Sequence, residues 1–205
     1  MGAMKGLLLM SGGFDSPVAG YMMRRQGFEV VAVHFSLEPL TDDTAEKKSR
    51  ILAGKIGCSD FIVLPFGFIQ AEIAKQCSHR FFYLLTRRMM FRIAEQLAHR
   101  IGADFLITGE NIGQVASQTL SNLKSTTSAV RIQMVRPVLC FDKNEIISFA
   151  KRIGTYDVSK GPEMCSVLGP KHPMTGSRLE DVESEESRLD VDALVAASSA
   201  NYKND

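Results

Sequence analysis

The chain has 205 residues, 45% hydrophobic and 23% charged, with a formal net charge of +1. That supports one large domain, or a domain with an appendage, around a substantial core. No apolar stretch is long enough to span a bilayer and no secretory signal opens the chain, so no membrane role and a cytoplasmic location are the default expectations. Four cysteines, Cys58, Cys77, Cys140 and Cys165, include no C-x-x-C pair, which argues against zinc and thioredoxin-like chemistry and leaves them as thiols in a reducing cytosol. The small net charge hides an asymmetry: residues 178–205 carry −5 and the remainder +6, too little to establish nucleic-acid binding alone. Met1-Gly2-Ala3 reads as an expression scar and is set aside.

Residues 5–10 read as a buried strand. It runs through Leu7-Leu8-Leu9-Met10 into Ser11-Gly12-Gly13-Phe14-Asp15-Ser16-Pro17, a glycine turn followed by a helix start. Asp15 or Ser16 is expected to cap that helix and Pro17 suits its first turn. The helix spans about residues 16–26, with Val18, Tyr21 and Met22 inward and Gly27 as its stop. A second buried strand covers residues 29–35. A polar-faced helix follows over 42–56, with Ala45, Ile51, Leu52 and Ile56 inward, and then a third strand over 61–64. Residues 68–101 read as helix broken near 77–83, where the second part carries Arg87, Arg88 and Arg92 on what charge alone suggests is a solvated face. Residues 105–108 form a fourth strand. A short helix containing Gln118 is expected from Gln114 onward, then a mobile Ser/Thr-rich loop over 121–128 and a fifth strand over 131–136. A helix over 144–152 is capped by Asp142 or Lys143. Residues 159–177 form a long Gly/Pro-rich loop around Cys165, and 179–197 an acidic helix with Val182, Leu189, Leu194 and Val195 able to pack. The expected division is 4–177 as the working domain and 178–205 as an acidic tail.

The order β-α-β-α-β predicts a doubly wound α/β fold: a mainly parallel five-stranded sheet with helices on both faces. Its ligand edge holds Ser11, His34 and Phe35, at the carboxyl ends of the strands. The glycine turn and the helix behind it make an anion site suited to phosphate. No G-x-x-x-x-G-K-[ST] occurs and the glycine loop has no lysine, which points away from γ-phosphoryl transfer. Asp15, flanked by hydroxyls, instead suits a magnesium–polyphosphate complex.

The run Ser11-Gly12-Gly13-Phe14-Asp15-Ser16 resembles the pyrophosphate loop (PP-loop) of the adenine-nucleotide α-hydrolase-like superfamily, a Rossmann-like fold whose members cleave ATP to AMP and pyrophosphate. Val33-His34-Phe35, Arg87-Arg88-Met89-Met90, the run from Thr108 to Leu120, Arg136-Pro137, Asp142-Lys143 and Ile153-Gly154-Thr155-Tyr156 narrow the resemblance. Together they are similar to the ATPase domain of the 4-thiouridine-forming tRNA sulfurtransferases, also tied to thiamine thiazole synthesis. The resemblance implies that Leu9, Met10, His34 and Phe35 border the adenosine. It implies that Ser11, Gly12, Gly13, Asp15 and Ser16 hold pyrophosphate and Mg²⁺, and that Arg87, Gly109 and Gln118 complete the ATP site. Lys143 is implied near the phosphates, where a lysine at a helix start is otherwise unfavourable. Cys165, in Pro162-Glu163-Met164-Cys165, is implied in persulfide turnover, a role suited to a nucleophilic thiolate. Cys58 and Cys77 read as packing residues and Cys140 as the reserve.

The implied reaction adenylates uracil O4 and then places sulfur at C4. The implied partners are tRNA and a persulfide donor such as a cysteine desulfurase, with a homodimer allowed. Family members carry an RNA-binding region before this domain and often a rhodanese domain after it, neither of which this sequence has room for. Either a separate protein or domain supplies RNA capture, or the sequence is a piece of a longer chain, or the substrate is not tRNA; the acidic tail is expected to repel RNA. Two alternatives stay open: an adenylating enzyme with a small-molecule acceptor, and a non-catalytic adenine-nucleotide binder.

Overall fold

The computed structural model describes residues 2–112, 118–161, 168–170 and 173–200. Its centre is a five-stranded sheet of β1 (Lys5–Leu9), β2 (Glu29–Ser36), β3 (Asp60–Pro65), β4 (Phe105–Ile107) and β5 (Gln133–Val135). The order is β3-β2-β1-β4-β5 and every pairing is parallel. β1 is central and covered on both sides, so Leu7 and Leu8 are both fully buried although they point to opposite faces. That double burial is why β1 reads as a continuous apolar run rather than an alternating one.

Nine helices are found among the described residues: α1 (Asp15–Arg25), α2 (Thr44–Ile56), α3 (Gly67–Gln76), α4 (Phe82–Ile101), α5 (Leu120–Thr127), α6 (Lys143–Arg152), α7 (Tyr156–Ser159), α8 (Leu179–Glu186) and α9 (Val191–Ala200). Helices α1, α2 and α6 cover the face bearing Leu8, Ala32 and Ile107. Helices α3, α4, α8 and α9 cover the face bearing Leu7, Val33 and Leu106. The doubly wound expectation holds, including the break between α3 and α4, where Cys77 is extended and a 3₁₀ turn covers His79–Phe81.

Several local expectations are corrected. Most of the stretch 121–128, read as a mobile loop, lies in α5, because Thr119 caps that helix by accepting from the Asn122 N–H and Leu123 is buried. Gln118 lies just before α5, and residues 113–117, where a helix was expected to start, lie outside the described residues. Ile51 is 52% exposed, since the buried stripe of α2 runs through Ser49, Leu52, Ala53 and Ile56. Asp142, not Lys143, caps α6, through a reciprocal capping box with Glu145.

The acidic tail differs most. It forms two helices, α8 and α9, that pack against α4, with Val182, Leu189 and Val195 in the main core. Each such side chain contributes about 1.5–3 kcal/mol of hydrophobic burial before chain entropy is counted. The anchor is ionic. Arg88, only 1% exposed, donates from Nε to Glu186 Oε1 at 2.9 Å and from Nη2 to Oε2 at 2.7 Å. Its Nη1 donates to Ser125 O and Ser128 Oγ, and Arg92 donates to Glu186 Oε2 at 3.0 Å. Arg88 and Arg92 are therefore not a solvated face, because part of the tail's negative charge is placed against them.

Candidate functional site

The carboxyl ends of β1 and β4 are neighbours from which the chain departs to opposite sides of the sheet, the place where doubly wound folds bind ligands. β1 delivers Ser11, Gly12 and Gly13 there. Ser16 Oγ accepts from the Ser11 N–H at 3.0 Å and donates back to Ser11 O at 3.2 Å, closing the turn. Asp15 and Ser16 are thus the first residues of α1 rather than its cap. The N-cap position is Phe14, and no side chain caps the helix end. A helix start without a side-chain cap offers backbone N–H groups and a positive dipole end to an anion.

Gly12 does not use a left-handed backbone, and a Cβ there would make only an ordinary contact with Lys48 Cβ of α2 at 3.4 Å, which places α2 directly against the turn. Gly109, just after β4, is more demanding. A Cβ there would lie 2.5 Å from Ser16 N and 2.7 Å from Asp15 C, so only glycine lets the end of β4 press on the first turn of α1. Sequence reading placed Gly109 in the site; the structure supplies a packing reason for it.

His34 and Phe35 separate. Alternation sends Phe35 to the α3–α4 face, where its ring meets Phe66 edge-on at 5.3 Å and is buried in the core. His34 points to the α2 face, stacked on Phe61 with ring centroids 6.4 Å apart. Its Nδ1 lies 3.1 Å from Met10 O, and a carbonyl can only accept, so Nδ1 carries the proton. Burial pushes the His34 pKa down, against the raising effect of that hydrogen bond, which keeps the ring neutral with Nε2 as acceptor. The Met10 N–H is spent on Val33 O at 2.8 Å and Met10 O receives His34. Leu9, the last residue of β1, is half-buried against the core.

One member of the site was not singled out from sequence. Glu110 is buried beside Gly109 and receives Arg87 Nη1 at 2.8 Å on Oε1 and Arg136 Nε at 2.7 Å on Oε2. Thr108 Oγ1 donates to Oε2 at 3.1 Å. Burial opposes ionisation of Glu110, but Arg87 and Arg136 outweigh it and hold its carboxyl below the usual range. Arg87 remains 34% exposed, a cation steered toward the sheet edge. An acid directly after Gly109, three residues past the end of β4, was the available signal, but its two arginine partners are remote in sequence. Gln118 Oε1 accepts from the Asn111 N–H at 2.6 Å, and Asn111 Nδ2 donates to Val138 O and Phe141 O, so Gln118 steadies the loop after β4.

Lys143 is exposed at the start of α6. Ser159 Oγ, also missed, donates to Gly13 O at 3.1 Å and ties α7 to the glycine turn. Cys165, with Pro162, Glu163 and Met164, lies outside the described residues. Burial pushes the Cys58 thiol up to about 12 and the Cys77 thiol up to about 11, consistent with packing roles, whereas Cys140 is exposed. Among the described residues no group of three His, Cys, Asp or Glu could hold a metal ion, and no helix is long and apolar enough to cross a membrane.

The family model for ThiI, described as thiamine biosynthesis protein, matches residues 2–191. The chain is 45% identical over 198 residues to a "Probable tRNA sulfurtransferase" of Moorella thermoacetica, covering 94% of this chain and 51% of that protein. A protein of the same name from Acetivibrio thermocellus is 43% identical, with 93% and 50% covered. The chain thus spans about half the length of these relatives. Among solved structures, a 4-thiouridine synthetase–RNA complex with bound ATP matches with a TM-score of 0.91 at 38% identity, covering 97% of this chain and 54% of that one. An NAD⁺ synthetase from Burkholderia pseudomallei matches at TM-score 0.53 and 14% identity, over 96% of this chain and 78% of that one, and shares the fold alone. With most of its length inside the family model and its sheet edge built around the glycine turn, this chain belongs to the ThiI family.

Proposed function

We propose that this chain is the ATP-using domain of a tRNA sulfurtransferase that converts uridine to 4-thiouridine. The observation that carries the reading is the close structural match, over nearly the whole chain, to a 4-thiouridine synthetase bound to ATP and RNA. In the proposed reaction uracil O4 attacks the α-phosphorus of ATP and pyrophosphate leaves. A sulfur nucleophile then forms the C4–S bond and AMP departs with the former O4.

The residues fit such a substrate. The glycine turn and the side-chain-uncapped start of α1 suit the pyrophosphate, with Ser11 and Ser16 holding the turn in shape. His34 offers a neutral acceptor on the adenosine side, and Arg87, fixed by Glu110, offers a positioned cation. Asp15 is the carboxylate suited to Mg²⁺, which when bound would neutralise phosphate charge. Lys143 and Gln118 complete the nucleotide site in this reading. Cys165 acts in persulfide turnover, with the sulfur supplied by a persulfide donor such as a cysteine desulfurase. In this reading a separate domain or protein takes part in RNA capture.

The test is mass spectrometry of tRNA nucleosides from a strain lacking the gene. Loss of 4-thiouridine, restored by wild type but not by Cys165→Ser, is the expected result. Unchanged 4-thiouridine in the deletion strain would remove the tRNA reading. AMP and pyrophosphate release that is indifferent to Cys165→Ser would favour a small-molecule acceptor instead.

A further inference from the structure

We infer that Lys48 of α2 is a pyrophosphate-contacting residue, supplying from a neighbouring helix the lysine that the glycine loop lacks. The inference rests on the nucleotide reading above and extends it to a residue outside the sequence motifs.

Lys48 lies beside the loop. A Cβ on Gly12 would meet Lys48 Cβ at 3.4 Å and Cδ at 3.5 Å, so the stem of the lysine runs along the turn itself. Its Nζ donates to Lys160 O at 2.7 Å and lies 3.2 Å from where a Cβ on Gly161 would be. The preceding residue, Ser159, donates to Gly13 O at 3.1 Å. The glycine turn, α2 and the end of α7 therefore border one solvent-open region, and the ammonium of Lys48 is in it.

The charge there is unbalanced. Among the described residues no carboxylate pairs with Lys48, whereas its neighbour Lys47 pairs with Asp43 at 2.7 Å and Lys160 pairs with Asp157 at 3.2 Å. A cation beside the N-terminus of α1 is disfavoured by that helix's dipole. A polyanion between the two helices reverses that penalty. An ammonium carries three donors, and Lys160 O uses one, so Lys48 can grip a phosphate oxygen without releasing the backbone it holds. That geometry links occupancy of the phosphate site to the backbone at Lys160. The contact belongs with the pyrophosphate rather than the nucleoside, because Lys48 sits against Gly12, whereas His34 is stacked on Phe61.

Calorimetric titration of ATP, inorganic pyrophosphate and AMP into wild type, Lys48→Gln, Lys48→Met and Lys48→Arg tests the assignment. Gln keeps a donor for Lys160 O and removes the charge, Met removes both, and Arg keeps the charge. Gln and Met are expected to weaken ATP and pyrophosphate about tenfold or more, to leave AMP within about twofold, and to flatten the salt dependence of ATP binding. Arg is expected to recover most of the affinity. Equal weakening of ATP and AMP, or a loss in Met that Gln fully restores, would reduce Lys48 to a structural tether and overturn the inference. Wild type that binds ATP alongside unaltered Gln and Met variants overturns it alone. Wild type that binds neither ATP nor pyrophosphate overturns the nucleotide reading with it.

Discussion

Two carboxylates in this protein are each held between two arginines, and they do different work. Glu110 sits at the sheet edge between Arg87 and Arg136; Glu186 sits in α8 between Arg88 and Arg92. Arg87 and Arg88 are adjacent on α4, yet one side chain is 34% exposed and the other 1%. Adjacent helical residues point about 100° apart, so a single helix serves the ligand edge with one arginine and the tail with the next. Desolvation works against ionisation of both acids and the arginines win at both. The difference lies in what remains after pairing. The α8 cluster fastens α4, α5 and α8 together through the buried Arg88, with Arg92 30% exposed at its rim. The Glu110 cluster leaves Arg87 partly open where a nucleotide would lie.

Breaking the buried Arg88–Glu186 pair is expected to have the largest effect. Arg88→Met leaves Glu186 buried with Arg92 alone, a loss of about 3–5 kcal/mol in denaturant unfolding. Nucleotide affinity of the molecules that remain folded is expected to stay within about twofold, because Arg88 faces away from the edge. Gly109→Ala comes next. Its Cβ must displace backbone at Ser16, costing about 1–3 kcal/mol and, unlike Arg88→Met, lowering ATP affinity in titration. Arg87→Met sharpens the contrast further. Glu110 keeps Arg136, so the stability loss is about 1.5–3 kcal/mol, accompanied by weaker ATP binding. The Arg87→Met and Arg88→Met losses are expected to add within about 0.5 kcal/mol if the clusters are independent, and a double-mutant cycle decides it.

Acid should dismantle both clusters. Glu110 and Glu186 titrate below their ordinary 4.5 when folded, so their contribution is complete above that pH and is lost as pH falls through the lower folded values. His34, lowered from 6.5 by burial, adds a shallower decline that begins near that pH on acidification. Melting temperature against pH reads both, and Glu186→Gln should flatten the acidic limb. The smallest effect is expected from Asp142→Ala, about 1 kcal/mol for the cap of α6, distant from either cluster in role.

Much of the molecule was legible before folding because the relevant interactions are local. The apolar run of β1, the glycine turn, the 3.6-residue stripes and the break before α4 depend on near neighbours in sequence, and the expected sheet followed from them. The turn from Ser11 to Ser16 and the close packing of Gly109 on it lie where their pattern placed them, at the carboxyl edge of the sheet. Partners across the fold were not legible. Arg88 looked like surface charge because its acid is 98 residues away, and Glu110 drew no notice because Arg87 and Arg136 lie 23 and 26 residues from it. Phe35 looked like His34's companion until alternation across the sheet placed them on opposite faces. Ser121 to Ser128 looked like a loop because helix propensity there is weak, and burial of Leu123 overrides it.

Sequence by itself determined the layer order, the parallel sheet, the glycine turn and the family, because periodicity, turn chemistry and motif spacing are properties of neighbouring residues. Only the tertiary structure decided which charges are spent and which are left for a ligand. Pairing is settled by distance in space, where Glu186 closes around Arg88 and Arg92 while Lys48 is brought beside the glycine turn without a carboxylate among the described residues.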